Sequence, residues 1–241
     1  MNADKESQQE FSEIVKETRS FLKSLQAAGQ TEVPAGSERP AAPASGSDPS
    51  EPLSLAEKEK RIEPVRQEAL KCVKCRLCKT RKSVVFGDGS LETDLVFVGE
   101  GPGRDEDEQG LPFVGAAGKL LNKIIEAMKR TRESVYICNV VKCRPPQNRP
   151  PEPDEIAACS GYLERQLLTI RPKVICALGK TAAAALLETQ APMGALRGRT
   201  LEWKGIPLIV TYHPAYLLRN PAAKKDVWED MKRVKQILAG A

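Results

Sequence analysis

The chain owns a single histidine, His213, and only 5% of its 241 residues are aromatic. No apolar run approaches the roughly 18 residues of a membrane span, so no membrane association is expected. The first ten residues, MNADKESQQE, lack a basic-then-apolar leader, and a soluble, cytoplasmic protein is the expectation. No internal repeat is visible. The seven cysteines are an odd number. With no export signal beside them, they suit reduced thiols and metal ligation better than a disulfide framework.

Charge is unevenly spread. Residues 1 to 56 hold five Lys and Arg against nine Asp and Glu, while residues 57 to 241 hold 32 against 23. The globular part is therefore basic, as a polyanion binder should be, although basic surfaces also serve solubility. Residues 5 to 27 place Phe11, Ile14, Val15, Phe21, Leu22 and Leu25 on one face of a helix, which can dock on its own domain, on a second copy or on a repair or replication partner. Residues 28 to 54 are rich in Pro, Ala, Gly and Ser, and read as a flexible linker. A monomer is expected.

From residue 55 onward the pattern is that of an α/β domain. A polar helix over Leu55 to Leu70 leads into cysteines. Apolar strands at Leu95–Gly99, Ser134–Val141, Lys173–Gly179 and Leu208–His213 then alternate with helices at Ala116–Met128, Pro153–Ile170, Lys180–Glu188 and Ala222–Leu238. Such alternation predicts a three-layer α/β/α fold around a four-stranded parallel sheet. RTLEWKGIPLIV reads as a hairpin turning at Lys204 and Gly205. In this architecture ligands bind at the carboxyl ends of strands, where Gly99 to Gly103, Asn139 and His213 all fall.

Cys72 and Cys75 have C-x-x-C spacing, with Cys78 three residues on and Cys143 and Cys159 far downstream. Zinc, iron-sulfur or redox chemistry all fit that pattern. The GEGPG run resembles half of a dinucleotide fingerprint, but RDEDEQ follows it as an acidic loop that would repel a pyrophosphate. Phe113, on a glycine-flanked loop, is either a plug under the sheet or a stacking face. Asn139 can donate and accept at once, as reading a base edge requires, or can simply cap a turn. His213 can support a developing oxyanion. Arg144 and Arg149 lie in a proline-stiffened loop that either contacts phosphate or only links two elements.

Several stretches occur in order: CVKCRLC, VVFGDGS, FVGEGPGRDEDEQGLPFVGAAGKLL, VYICNVVKCRPPQNRPPEPDE, Cys159, ALG, RGR and HPAYLLRNP. Over Cys72 to the last helix they resemble the iron-sulfur, family 4 uracil-DNA glycosylases. The resemblance implies hydrolysis of the N-glycosidic bond of uracil in single- or double-stranded DNA, at the nucleoid. It also implies a four-iron four-sulfur cluster on Cys72, Cys75, Cys143 and Cys159, with Cys78, Cys138 and Cys176 outside the set. By the same resemblance Phe113 stacks on the flipped base, Asn139 reads its edge and His213 supports charge on it. Leu217 would be the wedge into the duplex, with Arg219 at the backbone. Gly101 stands where the best-known uracil glycosylases carry an aspartate, which leaves Glu100, with Glu106 or Asp107 in reserve, to activate water. No inserted basic loop with a histidine lies between Val141 and Pro153, so the DNA-cross-linking variant of the family is not expected. A non-catalytic DNA-binding or polymerase-associated protein on the same fold is the alternative.

Overall fold

The computed structural model describes residues 53–240. The amphipathic helix and the linker expected before them lie outside the described residues. The elements in chain order are α1 (Leu55–Leu70), β1 (Asp88–Gly89), β2 (Leu95–Gly99), α2 (Arg104–Gln109), α3 (Ala116–Ala127), β3 (Tyr136–Asn139), α4 (Pro153–Ile170), β4 (Val174–Leu178), α5 (Lys180–Leu187), α6 (Met193–Leu196), β5 (Thr200–Trp203), β6 (Ile206–Thr211), α7 (Pro214–Arg219) and α8 (Lys224–Ala239).

The strands form one sheet in the order β1-β3-β2-β4-β6-β5. Its four central strands, β3, β2, β4 and β6, are parallel, as expected. The two edges, β1 on β3 and β5 on β6, are antiparallel and widen the sheet to six strands. LVFVG and VICAL are buried at every position because helices cover both faces. Alternation along β2 divides the interior in two. Val96 and Val98 join α1, α4 and α5 on one side, while Leu95 and Phe97 join α3, α7 and α8 on the other.

Local signals fix the boundaries. Ser54 caps α1 through a reciprocal pair with Glu57, and Lys58 Nζ donates to Leu91 O and Ile170 O, tying that helix to the domain. The β5–β6 hairpin turns at Lys204 and Gly205, both at positive φ, as a two-residue loop requires. RDEDEQ is not the loop its polar character suggests. It folds as α2, with Asp105, Glu106 and Asp107 in the first turn, where carboxylates complement the helix dipole.

The chain leaves β2 towards β3 on one side, then returns to place β4 on the other. A crevice opens at the carboxyl ends of the strands around such a reversal. Gly99 pairs with Asn139 in register, and beyond the ladder Val140 N–H donates to Gly99 O and Val141 N–H to Glu100 O. These bonds hold the GEGPG segment against the segment after β3.

Candidate active site and cysteine pocket

A crevice of about 600 Å³ lies there, lined by Glu100, Gly101, Arg104, Asp105, Glu106, Phe113, Asn139, Asn148, Arg149, His213, Tyr216 and Arg219 among others. The three stretches expected at the strand ends therefore do converge, bringing Glu100, Asn139 and His213 to one cavity, and Phe113 joins them there.

Phe113 adopts a left-handed backbone, φ 52°, which is costly for a residue with a Cβ. Its surroundings enforce it. Arg132 donates to Pro112 O at 2.5 Å and to Phe113 O at 3.1 Å. Glu106 Oε1 accepts from Val114 N–H and Gly115 N–H, both at 2.9 Å. Gly118 lets α3 pass beneath, since a Cβ there would come within 1.9 Å of Phe113 O. The ring, mostly buried, lies 5.5 Å from the His213 imidazole, centroid to centroid.

Asn139 is 1% exposed, and its Oδ1 has no hydrogen-bond partner within the protein. A buried acceptor left unpaired costs about 1–3 kcal/mol, so its place on the crevice wall points to a ligand donor. Gly99 makes the approach possible. A Cβ there would lie 2.4 Å from Asn139 Oδ1 and 2.5 Å from the Phe113 ring.

His213 caps α7, and its Nδ1 accepts from Ala215 N–H at 3.1 Å. That bond puts the proton of the neutral ring on Nε2. Burial, then the Arg219 charge, pull its pKa down from 6.5 to about 4, against an opposing pull from Glu106. The imidazole is thus a neutral donor at physiological pH.

Glu100 accepts a 2.5 Å hydrogen bond from Thr181 Oγ1 at the start of α5. Gly101 packs so closely that a Cβ would meet Val141 Cγ2 at 2.8 Å, so an aspartate there would have to displace the valine. Asp107 does not reach the crevice. Its Oδ1 accepts from Lys82 N–H and Ser83 N–H instead, which removes it as a reserve water activator.

Two further expectations are corrected. Leu217 is 1% exposed and packed in the core under α7, so it is not available as a wedge; Leu218, 49% exposed, is the apolar side chain of that helix facing out. Arg149 lines the crevice, but its guanidinium is held in two bonds, 2.8 and 2.6 Å, by the fully buried carboxylate of Glu155. That carboxylate, held down to about 2 chiefly by Arg149, also accepts from Arg76 Nε. Arg149 therefore ties the proline loop to α4 and to the cysteine loop, in place of a free phosphate contact. Arg144 sits outside the crevice lining, with Nε donating to Asn148 Oδ1. Arg219 lines the crevice from an exposed position.

Sequence reasoning missed Arg132, Thr181 and Asp105. Only the last carried a signal, the acidic N-terminal turn of α2.

Cys72, Cys75, Cys143 and Cys159 meet at a second pocket, which Cys78 also lines together with Leu77, Val141 and Tyr162. Cys138 and Cys176 lie within β3 and β4. Lys142 N–H donates to Cys159 Sγ at 3.3 Å and Arg81 NH1 to Cys143 Sγ at 3.2 Å. Burial raises the thiols of Cys75 and Cys159, and lifts Cys143 to about 11 against the pull of Arg81. No group of three or more His, Cys, Asp or Glu side chains among the described residues is gathered closely enough for a single metal ion. Four cysteine thiols at one pocket, two of them accepting from N–H donors, are a donor set that fits an iron-sulfur group.

The model of the Uracil DNA glycosylase superfamily matches residues 86–232. The type-4 uracil-DNA glycosylase of Saccharolobus solfataricus is 44% identical over 187 residues, covering 74% of this chain and 87% of its own. That of Thermotoga maritima is 44% identical over 185 residues, covering 75% and 96%. That of Archaeoglobus fulgidus is 42% identical over 184 residues, covering 73% and 92%. With this coverage, and with the crevice at the reversal point of the sheet, the chain belongs to the uracil DNA glycosylase superfamily, among its type-4 members.

Proposed function

We propose that the crevice takes a uracil extruded from DNA and hydrolyses its N-glycosidic bond, leaving an abasic site for base excision repair. The observation that carries this reading is the unpaired, buried Oδ1 of Asn139 beside the Phe113 ring and the neutral His213. Uracil offers an N3–H donor next to O4. An amide can accept from the first and donate to the second, whereas the cytosine edge, with an acceptor at N3 and an amino group at C4, mismatches both. Phe113 supplies the flat apolar surface for the ring.

Breaking the C1′–N1 bond leaves its electron pair on uracil and positive charge on the sugar. His213 Nε2–H is the donor for the base oxygen where that charge accumulates. Water adds to C1′ and gives its proton to Glu100, which Thr181 holds at the crevice wall. Glu106 acts indirectly, by fixing the Phe113 loop through Val114 and Gly115. Leu218 takes the wedge position, and Arg219 and Arg144 face the phosphates.

Cys72, Cys75, Cys143 and Cys159 would hold a four-iron four-sulfur cluster, which when bound cross-links the segment after α1, the segment after β3 and α4. No chemical step needs it. The enzyme works as a monomer at the nucleoid, with residues 1 to 27 as the recruiting arm. No helix among the described residues is long and apolar enough to cross a membrane.

The test is a uracil-containing oligonucleotide incubated with cluster-loaded protein and then treated with alkali. Strand cleavage at the uracil is expected. An intact strand would remove the enzymatic reading in favour of the non-catalytic one.

A further inference from the structure

The RGR stretch at Arg197 to Arg199 has no part in the chemistry above, yet its first residue is mostly buried and heavily engaged. Arg197 Nε and NH2 donate to Asp230 Oδ2 at 3.0 and 2.8 Å, and Asp230, itself buried, also accepts from Thr211 Oγ1 at 2.7 Å. The Arg197 guanidinium carbon sits 4.1 Å from the centroid of the Tyr212 ring. Tyr212 in turn stacks on Tyr216, centroids 4.8 Å apart and rings tilted by 32°. Tyr216 is 38% exposed and lines the crevice beside Arg219. A buried ion pair, a guanidinium and two rings thus form one ladder from α8 to the crevice mouth, and its last rung is bare.

Free-standing surface aromatics are mobile. This ring is braced from behind, and the helix that carries it is capped by His213, with Asn220 N–H donating back to Tyr216 O at 2.9 Å. A flat, braced and partly exposed ring beside an arginine has the features of a nucleobase platform: stacking for the base, charge for its phosphate. Phe113 already serves the base inside the crevice, so the Tyr216 position at the rim suits a neighbour.

We infer that Tyr216 is a second base-binding subsite, a stacking platform for the nucleobase adjacent to the extruded uracil, with Arg197 as its positioning residue through Tyr212. The inference rests on the proposed excision of uracil from DNA. It assigns Tyr216 to binding and not to bond cleavage, because any base has a π face and the ring is separated from the glycosidic bond by its position at the rim.

The experiment uses the full chain and short single-stranded oligonucleotides with one uracil, in which the base 5′ or 3′ of the uracil is present or replaced by an abasic analogue. Excision of the fully based strand by the unaltered protein comes first. Its absence would sink the functional reading before the subsite is tested. Given excision, Tyr216→Ala should raise KM about tenfold with kcat little changed, and Tyr216→Phe should restore it. Removing the neighbouring base on one side should cost the unaltered protein about the same factor and Tyr216→Ala nothing further. A 2-aminopurine at that side should be quenched on binding by the protein and by Tyr216→Phe, and less so by Tyr216→Ala. Arg197→Lys should weaken the quenching while Phe113-dependent steps keep their kcat. The proposal is overturned if Tyr216→Ala leaves KM unaltered, or if both proteins lose equally when either neighbouring base is removed.

Discussion

Lys142 Nζ donates to the main-chain oxygen of Asn139 at 2.8 Å, from a side chain that is 1% exposed. The same lysine gives its backbone N–H to Cys159 Sγ and its second side-chain bond, 2.5 Å, to Gln166 Oε1. Gln166 passes the network on to Phe86 O and Tyr136 OH, each at 2.9 Å. The residue that presents the unpaired amide oxygen and the pocket that gathers the thiols are therefore joined by one buried side chain. No carboxylate among the described residues forms an ion pair with it.

Lys142→Met fills similar space but leaves two buried acceptors, Asn139 O and Gln166 Oε1, without their donor. A loss of about 2 kcal/mol in urea unfolding is expected. Excision should fall as well, because the peptide that carries Asn139 loses an anchor. An unchanged unfolding midpoint would show that the network is not held by this side chain.

Gly99→Ala tests the tightest contact in the crevice. The added methyl would sit 2.4 Å from Asn139 Oδ1 and 2.5 Å from the Phe113 ring, distances that no relaxed side chain tolerates. One of the two must move out of place. Excision should drop by about a hundredfold or more, as for other angstrom-scale misplacements of a reacting group. The circular dichroism spectrum should persist, since the affected contacts lie at the end of β2. Full activity in the variant would mean that Asn139 and Phe113 are not required together.

How far these relationships could be read from the sequence depends on whether the signal was local. The four central strands were legible because helices cover both faces, which demands unbroken apolar runs such as LVFVG and VICAL. The hairpin was legible because Gly205, at ease with positive φ, falls between two short apolar runs, while Lys204 takes the other left-handed position at φ 47°. RDEDEQ was not, because α2 has no apolar stripe and draws its stability from dipole complementarity and from tertiary bonds made by Glu106 and Asp107. Leu217 and Leu218 are adjacent leucines on a six-residue helix, too short for a period to show which faces inward. Arg149 reads as a free cation until folding brings Glu155 to it, and the ladder behind Tyr216 joins residues from four separate stretches.

The low pKa of His213 gives a pH signature. With the folded value near 4 in the free protein, the neutral imidazole persists well into acid, so the His213-dependent part of kcat/KM should stay flat down to about pH 5 and fall below it. Stability follows with a definite sign. The unfolded chain binds this proton near pH 6.5 and the folded one only near 4. The unfolded state therefore holds more protons between these values, and stability intact above about 6.5 is progressively lost as pH falls towards 4. Subtracting urea-unfolding data for His213→Gln from those of the parent protein isolates this slope. A kcat/KM that declines between pH 7 and 6 in the parent protein but not in His213→Gln would instead require an imidazole with an ordinary pKa.

Glu100 and Glu106 both line the crevice but differ in their bonds, and a pair of glutamine substitutions tests the different work proposed for each. Glu100→Gln keeps an acceptor for Thr181 and removes the base proposed to take the water proton, so kcat should fall about a hundredfold or more while KM changes little. Glu106→Gln retains an oxygen able to accept from Val114 and Gly115, so the Phe113 loop should hold and the loss should stay within about tenfold. Glu106→Ala removes that oxygen, leaving two backbone donors unpaired and a left-handed Phe113 without its clamp. For this variant KM should rise along with the loss of rate. Single-turnover kinetics on the three proteins decides the matter, and a larger kcat defect in Glu106→Gln than in Glu100→Gln would exchange the two roles.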